Sequence, residues 1–173
     1  MTMHPFVRLA KEAIRIWIEE KREISLPDVT LTDEMQKKAG VFVSLKIYGN
    51  LRGCIGTYIP QTENIATEII QNAISAASRD PRFSPLTADE LSHLSYSVDV
   101  LSLPERVKSI KDLNSKKYGV LVKQGSNRGL LLPDIEGIDT PEEQIRIAKL
   151  KAGIPQDMDV DLYRFTVRRY QSG

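Results

Sequence analysis

The chain carries a single cysteine, Cys54, and only two histidines, His4 and His93, among its 173 residues. One cysteine excludes an intramolecular disulfide, and with so few histidines the usual zinc sets of Cys and His cannot be assembled. An excess of one charge is missing too. The 24 Lys and Arg against 23 Asp and Glu leave a net charge of +1, so no long-range field draws in nucleic acid or acidic lipid. Aromatic residues make up only 6% of the chain, which further disfavours a nucleic-acid surface. No stretch approaches the roughly 18 apolar residues of a membrane span. The segment from Met1 to Trp17 is cut by Arg8, Lys11, Glu12 and Arg15, which is not the pattern of a signal peptide. A soluble, cytoplasmic protein is expected. No linker or low-complexity segment interrupts residues 1–173, and 41% hydrophobic content suffices for a self-sufficient core. One domain follows, with a larger and a smaller lobe permitted within it.

Against this background Leu51-Arg52-Gly53-Cys54-Ile55-Gly56-Thr57 stands out, because it places two glycines and the lone cysteine inside a strand-like stretch. Glycine in a strand marks a bulge or a close approach by a ligand or another backbone. Val41 to Ile47 alternates as a half-buried strand, and Tyr48-Gly49-Asn50 supplies turn chemistry, so the two stretches predict a hairpin. A two-residue loop at Tyr48-Gly49 or Gly49-Asn50 sets Cys54 opposite Val43 or Leu45, on the apolar face. A bulge at Gly53 or Gly56, or a three-residue loop, would reverse that facing.

The remaining elements follow from periodicity and capping. Phe6, Leu9, Ala10, Ala13, Ile14 and Trp17 predict an amphipathic helix over Pro5 to Lys21, with Trp17 in the core rather than serving as a ligand platform. A second helix is predicted from a Thr62 cap to about Ser78. On it Glu68, Asn72, Ser75 and Arg79 form a narrow polar line, either a solvated face or the border of a polar cleft. Arg79-Asp80-Pro81-Arg82-Phe83-Ser84-Pro85 ends that helix as a stiff loop, and Thr87 with Glu90 has capping-box spacing. Tyr96, Val98 and Val100 predict a strand whose polar face carries Asp99, either solvent-exposed or helping to line a cleft, and residues 104–117 read as irregular. A second hairpin is predicted around Gln124 to Asn127, its return strand opening with Arg128-Gly129 as the first opens with Arg52-Gly53. Thr140-Pro141 starts a helix that Gly153 stops, and Asp161 to Tyr170 closes the chain as one strand.

Gly40-Val41-Phe42-Val43-Ser44-Leu45, Leu51-Arg52-Gly53-Cys54-Ile55-Gly56, Asn72-Ala73-Ile74 and Arg79-Asp80-Pro81-Arg82-Phe83 together resemble the AMMECR family, often called AmmeMemoRadiSam system protein A. The resemblance continues through Arg128 to Pro133, Glu143-Gln144-Ile145, Lys151-Ala152-Gly153 and Leu162 to Phe165, and so covers nearly the whole chain. It implies an α+β fold, mainly antiparallel sheet with packed helices, in two unequal lobes flanking a cleft. It also implies association with a Memo-like protein and a radical S-adenosylmethionine (SAM) protein. No three-cysteine iron–sulfur motif is present, so that radical chemistry belongs to the partner.

Three functions are open at this point. As an accessory or ligand-binding component, the chain would use Arg52, Gly53, Gly56, Asn72, Arg79, Arg82 and Arg128 to hold a phosphate or carboxylate, guanidinium forks suiting such groups. As an enzyme on a small anionic or amide substrate, it would use Cys54 as a nucleophile, its thiolate favoured by neighbouring arginines, with Glu68 or Asp80 as base. A nucleic-acid-associated regulator is third and has the least support. No metal site and no cofactor are expected, and the ligand stays unidentified.

Overall fold

The computed structural model describes residues 2–172, apart from the side chain of Asp28. Met1 and Gly173, the ends of the domain read from the sequence, lie outside the described residues. The protein is α+β, with three α-helices and two four-stranded antiparallel sheets among the described residues. The chain divides into two compact units, one of residues 1–101 with 168–173 and the other of residues 102–167.

In the first unit, helix α1 (Pro5–Glu20) starts with proline in its first turn, and His4 Nδ1 accepts the Phe6 N–H at 3.2 Å. Strands β1 (Gly40–Ile47) and β2 (Asn50–Gly56), helix α2 (Ile65–Ser78), β3 (Leu94–Leu101) and β8 (Val167–Gln171) complete it, with sheet order β2-β1-β3-β8. The period-two alternation puts Val41, Val43 and Leu45 of β1 and Val98 and Val100 of β3 into one core with the apolar stripes of α1 and α2. Each buried aliphatic side chain there contributes roughly 1.5–3 kcal/mol. The cap of α2 is Asn64, whose side chain accepts the Thr67 N–H at 2.8 Å, rather than Thr62. Thr62 is drawn instead to a carboxylate inside the helix.

In the second unit, β4 (Glu105–Val107), β5 (Gly119–Gln124), β6 (Asn127–Leu131) and β7 (Asp161–Phe165) form a sheet of order β4-β7-β5-β6, with helix α3 (Pro141–Ala152) on one face. Val120, Val122, Leu131 and Ala148 pack as its core. α3 has the predicted bounds: Thr140 caps it, and Gly153 ends it in the left-handed conformation at φ 69°. Two expectations change. The span 104–117 contributes the short strand β4, and the single closing strand is two strands broken at Thr166, one in each sheet. Thr166 exchanges hydrogen bonds with Ser102 at that break, which takes its backbone out of either ladder.

Candidate functional site

The first hairpin turns through Tyr48-Gly49, both at positive φ (51° and 80°), so Ile47 faces Asn50 and Lys46 faces Leu51. The register then slips. Leu45 pairs with Gly53, leaving Arg52 as the extra residue of a β-bulge, and every later side chain of β2 changes face. Cys54 therefore pairs with Ser44, and Ser44 with Ser97 of β3, on the face turned away from the helices. This corrects the apolar-face placement of Cys54. The two-residue turn is as expected, but strand parity is broken one residue before Gly53. Gly53 takes the inward position, where a Cβ would lie 2.2 Å from the Ala76 carbonyl oxygen of α2. Only glycine lets the helix backbone come so close.

Cys54 is half-buried, with its Sγ 3.2 Å from Ser44 Oγ. Burial pushes its thiol pKa above the ordinary value, and the Ser44 contact and the Arg82 charge offset this only in part. The backbone of Cys54 is held from the side of the sheet edge. Asp80 accepts its N–H at 3.0 Å, and Arg82 donates to its carbonyl at 3.3 Å while bonding both carboxylate oxygens of Asp80. The Arg82 guanidinium, together with the Cys54 and Arg82 amides, holds the Asp80 carboxyl well below the usual range despite its burial. The Asp80–Arg82 pair thus stands where a neighbouring strand would bond, closing part of an exposed edge.

Arg52, the bulged residue, reaches along the same edge. Its Nε and Nη2 bond Glu90 at 2.8 and 3.1 Å, and its Nη1 donates to the Ser84 carbonyl at 2.9 Å. Arg52 in turn lowers the Glu90 pKa. Glu90 also closes the predicted capping box with Thr87, and its pairing with Arg52 has no signal in local sequence.

The polar line on α2 is largely a packed interface. Glu68 is 2% exposed and accepts from Thr57 Oγ1, from the Gln61 and Thr62 amides and from Thr62 Oγ1. Asn72 donates to the Val41 carbonyl at 2.9 Å and to Thr57 Oγ1 at 3.3 Å. Gly56 faces Phe42, whose ring fills the place of a side chain; a Cβ there would lie 2.2 Å from Phe42 Cγ. Asp99 is 2% exposed rather than solvated, because Arg169 of β8 grips both its oxygens at 2.8 and 3.0 Å.

Arg52, Gly53, Cys54, Asp80 and Arg82 are therefore brought together, with Gly56, Glu68 and Asn72 grouped around Thr57. Arg79 stands apart, exposed, with its guanidinium 5.6 Å from the centre of the Trp17 ring. Arg128 belongs to the second unit. Among the described residues no three His, Cys, Asp or Glu side chains are grouped to hold a metal ion, and no helix is long and apolar enough to cross a membrane. Sequence reasoning missed the bonds of Ser44, Thr57 and Arg169 and the pairing of Glu90 with Arg52, all made across separate elements or loops.

The AMMECR1 family model matches residues 7–172. A protein of Thermotoga maritima is 54% identical over 171 residues, covering 97% of this chain and 98% of that protein. A Clostridium acetobutylicum protein is 46% identical over 168 residues, covering 96% of this chain but only 36% of its own longer sequence. The crystal structure of protein PH0010 from Pyrococcus horikoshii is similar at a TM-score of 0.88 with 33% identity, covering 96% of this chain and 89% of that one. On the match across nearly its whole length, the chain belongs to the AMMECR1 family.

Proposed function

We propose that the protein is an accessory, ligand-binding component that works with a Memo-like protein and a radical SAM protein. The observation that carries this reading is the commitment of the polar groups around Cys54. Asp80 spends its carboxylate on the Cys54 amide and on Arg82, and Glu68 accepts four hydrogen bonds from the 57–62 loop. Neither is a poised base, and the raised thiol pKa works against a resting thiolate. Arg79 keeps an exposed guanidinium group suited to an anionic ligand, whereas that of Arg82, though exposed, is bonded to Asp80 and to the Cys54 carbonyl.

The test is reconstitution. The purified chain should bind the Memo-like and radical SAM proteins and raise small-molecule turnover in the mixture, with no turnover of its own. The second reading, an enzyme on a small anionic or amide substrate with Cys54 as nucleophile, draws on the bulge, which turns the thiol away from the core. Turnover by the isolated chain that is abolished in a folded Cys54→Ser variant would establish that reading and overturn the first.

A further inference from the structure

We propose that a cavity beside Trp17 binds a small apolar carboxylate, its hydrocarbon part against the indole and its charged end between Lys21 and Arg79. The cavity has a volume of about 330 Å³ and aliphatic walls of Ile18, Ala77, Pro85 and Leu86. That size suits a compact small molecule. Trp17, the only tryptophan of the chain, is half-buried, packed against the core of the first unit and on the cavity wall.

The walls are preformed. Leu86 donates its N–H to the Ala77 carbonyl at 2.9 Å, and the neighbouring carbonyls of Ser84 and Pro85 are held by Arg52 at 2.9 and 3.5 Å. Ser78, the one neutral polar residue of the lining, directs its hydroxyl to the Ile74 carbonyl at 2.6 Å. An apolar body therefore fits the interior without leaving a buried polar group unpaired.

The charge is one-sided. Lys21 is the only ionisable residue of the lining, and Arg79 lies over the indole with its guanidinium carbon 5.6 Å from the ring centre. Among the described residues neither cation is ion-paired. α1 and α2 both end here, with Lys21 and Arg79 as their C-caps. Their carbonyl ends repel an anion seated deep between them, so the carboxylate belongs at the mouth beside the two cations. A second cavity, of about 260 Å³ along α1, presents Arg8 together with Glu12 and offers no such polarity.

Binding at the Trp17 cavity shares Arg79 with the ligand-binding reading above but needs neither partner protein, so its failure and that of the partnership are told apart. The experiment titrates the intact chain with 4-phenylbutyrate and with its neutral amide, following Trp17 fluorescence and the indole N–H resonance. Saturable binding of the carboxylate is expected, with the amide about fivefold weaker. Lys21→Ala and Arg79→Ala should each weaken the carboxylate and leave the amide unchanged. No saturable response at millimolar ligand, equal binding of acid and amide, or binding that leaves the indole resonance unmoved would each overturn the proposal. The comparison of acid and amide on the unaltered chain holds even if a variant unfolds.

Discussion

Asp80 accepts the amide proton of Cys54 at 3.0 Å across 26 residues of sequence, and through this bond the loop that ends α2 is fastened to the edge of β2. Asp80→Asn should therefore cost about 2–3 kcal/mol, since it leaves the Cys54 N–H and Arg82 with a weaker, uncharged partner. The acid dependence carries the sign. The folded pKa of Asp80 is depressed, so its contribution is complete above the unfolded value of about 3.9 and fades as pH falls toward the folded one. Urea unfolding at several pH values should show a gap between wild type and Asp80→Asn that is widest near neutrality and narrows below about pH 4. A gap independent of pH would contradict the charged clamp.

Gly53→Ala should destabilise strongly, by about 3 kcal/mol or more, because a Cβ would stand 2.2 Å from a backbone carbonyl that α2 cannot withdraw. Gly129→Ala in the second unit meets the Ala148 carbonyl of α3 at 2.0 Å and should behave alike. Gly49→Ala serves as the contrast, with φ at +80° but nothing within 4 Å, and should cost only about 1 kcal/mol. Thermal denaturation of the three variants tests the order.

Cys54 should react slowly with iodoacetamide at pH 7–8, more slowly than a free cysteine, with a rate still rising through the ordinary thiol pKa range. Arg82→Ala should slow it further at fixed pH, since that charge lowers the thiol pKa. A plateau near neutral pH would show a stabilised thiolate and favour the nucleophile reading.

Glu68→Ala should loosen the 57–62 loop by freeing the amides of Gln61 and Thr62, each bonded to the carboxylate at 2.8 Å. Hydrogen exchange should quicken at those two amides and remain unchanged at the Tyr48-Gly49 turn. The stability loss should be about 2–4 kcal/mol, as a buried acceptor of four bonds is removed.

The elements were legible wherever the signal is local. Thr140, Pro141 and Gly153 bound α3 correctly because capping and the left-handed stop act within one turn. The facing of Cys54 was not legible from parity, because an inserted Arg52 is invisible until Gly53 is seen against Ala76. Asp99 looked solvated because its partner Arg169 is 70 residues away. The bonds of Asp80 and Arg82 serve the strand edge and those of Glu68 the 57–62 loop, partners that local sequence does not mark. The echo between Arg52-Gly53 and Arg128-Gly129 has a shared physical cause, since each glycine sits beneath the carbonyl of an alanine in the helix that packs on its hairpin.

Strand β8 also bears on biosynthesis. It joins a sheet whose other strands all lie before residue 102, while the second unit occupies the intervening sequence. During vectorial synthesis the first unit must wait, one strand short and with Asp99 still unneutralised, until residue 169 has been added. Strand β7 ends only at Phe165, so the second unit too is complete only as Arg169 is added, and neither unit can finish folding ahead of the other.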